Sequence, residues 1–236
     1  MSDVLHKKFN IDLDKSNMQE AIADFPVQIA QSFEIMNNWS SSLKYTGIKK
    51  IMILGMGGSA IGGDVSRAIL QNNCLIPIIV NRSYTIPNWV DPNTLILASS
   101  YSGDTEETLS AFSQCRKRNC PILVLTTGGT LAQHAEDIGL DWVTIPKGYQ
   151  PRAALGYSFS LILLVLDRLG FIHDNIVEKV KNSIIPLENL CSQLSQEGNA
   201  AMKIAEEIYS TCPIIYGSED LTWVVALRFR GQLAEN

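Results

Sequence analysis

A basic excess is missing from this sequence. Its 19 Lys and Arg stand against 24 Asp and Glu, a net charge of −5. Chains that bind nucleic acid carry a positive surface that displaces counterions, so no such partner is expected. A long apolar run is missing too. The longest, near Ser158 to Leu166, is closed by Asp167 and Arg168 and is too short to span a bilayer. The opening MSDVLHKKFNIDLD has early charge and no apolar segment, so no secretory signal is expected and the compartment expected is the cytoplasm. Cysteine is sparse. Cys74, Cys115, Cys120, Cys191 and Cys212 form no CxxC pair, and His6, His134 and His173 lie far apart. Neither set has zinc spacing, so buried or free thiols, surface or boundary histidines and no metal are expected.

What remains is an ordinary globular composition, 46% hydrophobic and 18% charged. The 236 residues suffice for one large domain, or one domain and part of a second. Residues 16–38 predict a helical arm, with Ser16 and Gln19 as a capping box and Pro26 dividing or kinking it. A regular alternation follows. Strands are predicted at Ile51–Leu54, Pro77–Val80, Thr94–Ala98, Ile122–Leu125 and Trp142–Ile145. Helices are predicted at Gly58–Leu70, Thr105–Arg118 and Leu131–Asp137. This alternation implies an α/β fold, a doubly wound five-stranded parallel sheet flanked by helices. Ligands on such sheets sit beyond the carboxyl ends of the strands. After Pro146 the pattern is mainly helical, over Ala153–Leu169, Ile176–Leu194 (interrupted by Pro186) and Asn199–Tyr209. A strand at Pro213–Tyr216 and a helix at Leu221–Leu233 then read as the opening of a second α/β domain. The expected organisation is an arm at 1–46, a first domain at 47–150, and linker helices with an incomplete second domain at 151–236.

Four segments can carry chemistry. Gly55-Met56-Gly57-Gly58-Ser59-Ala60 joins a strand to a helix, where glycines let backbone amides approach an anion or a polar oxygen. It also fits a loose dinucleotide fingerprint, or simply a tight turn. The next strand ends in Asn81-Arg82-Ser83 without the ribose-binding acid, although an arginine suits NADP. Ser99 to Thr105 also runs from strand to helix. Ser100, Ser102 and Thr105 can turn three hydroxyls to one point, with Gly103 curling the chain, which makes a phosphate cradle without a lysine. Ser102 or Asp104 capping the helix is the plain alternative. Arg152, in Pro151-Arg152-Ala153-Ala154-Leu155-Gly156-Tyr157, reads as an anion-binding group or as a surface arginine. Glu235, in Arg228-Phe229-Arg230-Gly231-Gln232-Leu233-Ala234-Glu235-Asn236, reads on its own as a solvated acid at a helix end.

Together, GMGGSAIGGD at 55–64, SYSGDTEET at 100–108, PRAALGY at 151–157, RFRGQLAEN at 228–236 and the DFPVQI of the arm resemble one family. It is the bifunctional phosphoglucose/phosphomannose isomerases of the SIS (sugar isomerase) fold. The resemblance implies interconversion of glucose 6-phosphate or mannose 6-phosphate with fructose 6-phosphate through an enediolate. It implies that Gly57, Gly58 and Ser59 contact the sugar and that Ser100, Ser102 and Thr105 hold the phosphate. Arg152 would stabilise the enediolate, and Glu235 would move the proton between C1 and C2. A homodimer is implied, with no metal and no nucleotide cofactor. Two departures are visible. Asp104 stands where relatives commonly carry Asn. The family continues past this Glu-Asn with a ring-opening histidine, a lysine and most of a second SIS domain, so a truncated chain is expected. A non-catalytic sugar-phosphate-binding module and a nucleotide-dependent oxidoreductase are the competing readings.

Overall fold

The computed structural model describes residues 14–235. His6, the beginning of the predicted arm and Asn236 lie outside the described residues. Five parallel strands, β1 (Lys50–Leu54), β2 (Ile78–Asn81), β3 (Thr94–Ser100), β4 (Ile122–Thr126) and β5 (Asp141–Thr144), form one sheet in the order β2-β1-β3-β4-β5. Between them run α3 (Gly57–Leu70), α4 (Glu106–Lys117) and α5 (Gly129–Asp137). Ahead of the sheet lie α1 (Met18–Ala23) and α2 (Phe25–Asn37); after it come α6 (Leu155–Arg168), α7 (Ile176–Asn182), α8 (Ile184–Leu194), α9 (Ala200–Ile208) and α10 (Thr222–Glu235).

The near-continuous apolar strands follow from helices on both faces. Side chains alternate between two cores. Ile51, Ile53, Leu95, Leu97, Leu123 and Leu125 meet Leu161 to Leu166 of α6 on one face. Met52, Leu54, Ile96, Ala98 and Val124 meet Phe112 of α4 and Leu131 of α5 on the other. The apolar run in α6 is therefore a core helix, buried all round from Gly156 to Leu166. A buried hydroxyl of α6 is satisfied from the arm: Ser160 Oγ donates to Ser32 Oγ of α2 at 2.7 Å.

The arm differs from its predicted capping box. Asp14 accepts from the amides of Met18 and Gln19 at 2.7 and 2.8 Å, because its carboxylate reaches two of the orphan donors at the start of α1. Pro26 divides the arm by opening α2, where no amide hydrogen is needed. Gln28 of α2 is buried; its Nε2 donates to Ala153 O at 2.8 Å and its Oε1 accepts from Gly156 N at 3.0 Å. The arm thus holds the turn that carries Arg152.

The residues 39–45 connection is tied down by one buried carboxylate. Asp141 accepts from Ser41 Oγ at 2.6 Å, Ser42 N at 2.9 Å and Tyr45 Oη at 3.0 Å. Burial pushes this carboxyl up, but the bonds from Ser41, Ser42 and Tyr45 outweigh it and hold it below its usual range. Asp141→Ala is expected to cost about 2 kcal/mol in urea unfolding, since it removes the shared acceptor of several partly buried and exposed donors. A depressed carboxyl stabilises above its unfolded value, near ~3.9, and loses that contribution as pH falls through its folded value. The stability gap between parent and variant should therefore shrink below about pH 4; a gap constant through that range would contradict this account.

Two C-terminal expectations change. The break in Ile176–Leu194 falls at Ser183, while Pro186 sits in the first turn of α8, where it is tolerated. Pro213–Tyr216 is not a strand. Among the described residues nothing pairs with it, and an extended segment without a partner has no ladder; Ile214 and Tyr216 are exposed.

Candidate active site

The strand order places a switch point between β1 and β3, where the chain leaves toward opposite faces of the sheet. Both glycine- and serine-bearing loops open there. α3 starts at Gly57, which takes φ +49 after the extended Met56. Buried Ser59 accepts from Tyr101 N at 3.3 Å and so joins the two loops across the switch point.

Two of the three hydroxyls expected to converge come together. Buried Ser100 Oγ lies 3.0 Å from Thr105 Oγ1 and accepts from Gly103 N at 3.1 Å. Ser102 is exposed, and its Oγ accepts from Asp104 N at 3.2 Å rather than joining that pair. Neither Ser102 nor Asp104 caps α4. Thr105 is its N-cap and makes no side-chain capping bond, leaving first-turn amides suited to an anion. Asp104 instead caps the next helix, accepting from Thr130 N at 2.8 Å and Thr130 Oγ1 at 2.7 Å. Those two bonds hold its carboxyl below the usual range. Asp104→Ala should therefore lower the melting temperature, whereas Asp104→Asn keeps a capping oxygen and should lower it less. Equal losses in the two variants would remove the capping role.

The third and fourth segments are brought to the first. A Cβ on Gly58 would stand 2.3 Å from Pro151 O, so the glycine loop is pressed against the turn Pro151–Ala153. Arg152 donates from Nη1 to Gln150 Oε1 at 2.7 Å. Its Nε is buried without a hydrogen-bond partner and faces Glu235 Oε2 at 3.8 Å. Glu235 is exposed, and α10 carrying it packs against α3. Sequence reasoning missed Tyr101, Gln150 and Gln28; only the segments containing them were visible. It also assigned nothing to Arg228, although this arginine donates to the main-chain oxygen of Arg152.

The nucleotide reading weakens at Arg82. Its guanidinium pairs with buried Asp64, which also draws Arg67 to 3.9 Å, so Arg82 is not offered to a 2′-phosphate. A groove of about 710 Å³ lies elsewhere, between the end of α3, residues 74–78 and Gly217, Glu219 and Trp223. It sits at the amino end of β2, so size does not mark the switch-point site. Among the described residues no group of His, Cys, Asp and Glu is arranged to hold a metal, and no helix is long and apolar enough to cross a membrane.

Comparison with known proteins is consistent with this geometry. A family model described as SIS domain matches residues 44–170, and one described as bacterial phospho-glucose isomerase C-terminal SIS domain matches residues 197–236. A bifunctional phosphoglucose/phosphomannose isomerase of Caldicellulosiruptor bescii is 44% identical, covering 93% of this chain and 66% of the relative. One from Aquifex aeolicus is 35% identical, over 89% and 62%. The chain thus spans a little under two thirds of the length of these relatives. The C-terminal domain of glucosamine-fructose-6-phosphate aminotransferase from Francisella tularensis shares the fold, with a TM-score of 0.60 at 16% identity over 95% of this chain and 68% of that one.

Proposed function

Because the chain belongs to the SIS domain family, we propose that it serves an aldose–ketose isomerase acting on glucose 6-phosphate or mannose 6-phosphate and fructose 6-phosphate. The observation that carries this reading is the approach of Glu235 to Arg152 at 3.8 Å, on the turn pressed against Gly58. A base beside a cation is what proton transfer next to a carbonyl needs.

In this reading Ser100 and Thr105, with the first amides of α4, take the phosphate, and Ser102 adds a hydroxyl from the rim. Gly57, Gly58 and Ser59 face the sugar. The Glu235 carboxylate removes the proton beside the carbonyl and returns it to the adjacent carbon. Negative charge grows on the enediolate oxygens, and the Arg152 guanidinium beside Glu235 is suited to stabilise it. Glucose 6-phosphate and mannose 6-phosphate differ only at C2 and share one enediol, so a single site can serve both. Neither step calls for a metal or a nucleotide.

We also read the protein as a cytoplasmic homodimer. Exposed Ile204, Tyr209, Ile214 and Tyr216 support self-association; a monomer in sedimentation at working concentration would remove that part. The test of the activity is a coupled assay with fructose 6-phosphate, monitoring both aldose products, on this chain and on any longer version of its reading frame. Turnover to both supports the proposal. Tight binding with no turnover in any version would replace it with a sugar-phosphate-binding module.

A further inference from the structure

We propose that Arg228 is a positioning residue of this site, one that holds the Arg152 turn and adds a second cation facing Glu235, so that the cluster is matched to an anion at the reacting carbons. This rests on the isomerase reading of the same site.

The placement follows from helix geometry. Arg228, Gln232 and Glu235 recur on one face of α10, four and then three residues apart. Arg228 is half-buried and donates to Arg152 O, the carbonyl of the residue whose side chain meets Glu235. The Gln232 amide, oriented with its oxygen toward the guanidinium, accepts from Arg228 Nε at 3.0 Å. Main-chain and side-chain contacts therefore fix Arg228 from two sides. What it fixes in turn is the backbone under Arg152, a short 3-10 turn that Gln28 clamps through the neighbouring Ala153 O.

The charges make this more than a brace. Two guanidinium groups and one carboxylate leave the cluster with one uncompensated positive charge. Burial pulls the Arg228 guanidinium down from its ordinary value; Glu235 opposes that and Arg152 adds to it. Like charges held together in a half-buried site are unfavourable until an anion joins them. The ligand's phosphate has its own cradle at Ser100 and Thr105. The anion that completes the cluster is then the one developing at C1 and C2. A substrate with a neutral carbonyl there gains little from Arg228, while an enediolate, or a stable carboxylate in its place, gains much.

Arg228→Met and Arg228→Lys test this, with fructose 6-phosphate and the five-carbon aldonic acid phosphate 5-phosphoarabinonate as probes. The aldonate carries a carboxylate where the enediolate would lie. In Arg228→Met its affinity should fall roughly tenfold to a hundredfold, while fructose 6-phosphate binding stays within about twofold. The same variant should lose kcat with KM little changed, and Arg228→Lys should recover part of the aldonate affinity. Equal weakening of both probes would mark a purely structural role and overturn the proposal, as would no change in either. If Arg228→Met does not fold, Arg228→Lys carries the comparison, with selective loss for the aldonate expected and unselective loss overturning it. A parent protein that binds the aldonate in an Arg228-dependent way yet never turns over would sink the isomerase reading and leave this assignment standing.

Discussion

Glu235→Gln is expected to lower isomerisation of fructose 6-phosphate by about 10²–10⁴-fold, the usual worth of a positioned base, while fructose 6-phosphate still binds. The amide is nearly the shape of the carboxylate but cannot take a proton. The fold should tolerate the exchange, since Glu235 is exposed at the end of α10 and its ion pair with Arg152 is a loose 3.8 Å contact. The cradle at Ser100 and Thr105 lies on different elements and is untouched. Solvent exchange separates base loss from other causes. In heavy water the parent should deliver deuterium to the adjacent carbon that receives the proton, C2 of the aldose product, and the variant should not. Turnover retained in Glu235→Gln would mean that another group moves the proton. Loss of fructose 6-phosphate binding together with turnover would assign Glu235 to binding instead.

Gly103→Ala should be the most damaging single change to the cradle. Gly103 takes φ +80, and a Cβ built there would stand 1.9 Å from Gly128 O and 2.9 Å from Thr126 Oγ1. Backbone, not a flexible side-chain end, is what blocks the methyl. The left-handed conformation and the forced displacement together should cost about 2–5 kcal/mol. Any relief moves the loop that sets Ser100 against Thr105, so affinity for inorganic phosphate and fructose 6-phosphate should fall with stability. Gly170→Ala is the control. It has a similar φ of +79 but open space where the Cβ would go. Its cost should be about 1 kcal/mol, with phosphate affinity unchanged. Similar penalties at the two positions would show that backbone conformation alone matters and that the Gly103–Gly128 contact does not.

Much of the framework was legible from residue order. The strands at Ile51–Leu54, Thr94–Ala98 and Ile122–Leu125 were visible as short, mostly apolar runs, because a strand buried on both faces favours apolar side chains at successive positions. The same logic misled at Pro213–Tyr216. An apolar, β-prone run states a preference, but a strand exists only where a neighbour supplies hydrogen bonds, and that lies outside the run. Caps were also misjudged. Ser16, Ser102 and Asp104 have the right chemistry next to helices, yet Asp14 reaches over Ser16, and Asp104 caps α5, the next helix, instead of the α4 it precedes. A short polar side chain bonds whichever orphan amide the fold brings close, and local order does not say which.

The candidate site follows the same division. Residue order alone specified the alternating elements, the two glycine- and serine-bearing turns at strand ends, and the residue types fit for anion binding and proton transfer. All of these are local: they depend on periodicity, on glycine's backbone freedom and on side-chain chemistry. Only the folded chain decided that these segments form one site. It set Gly58 against Pro151, Arg152 against Glu235, and Arg228 beneath the Arg152 turn. Those approaches come from the packing of α3 against α6 beside the sheet and of α10 against α3. Such distances are fixed by side-chain volume and helix crossing, which no single segment encodes.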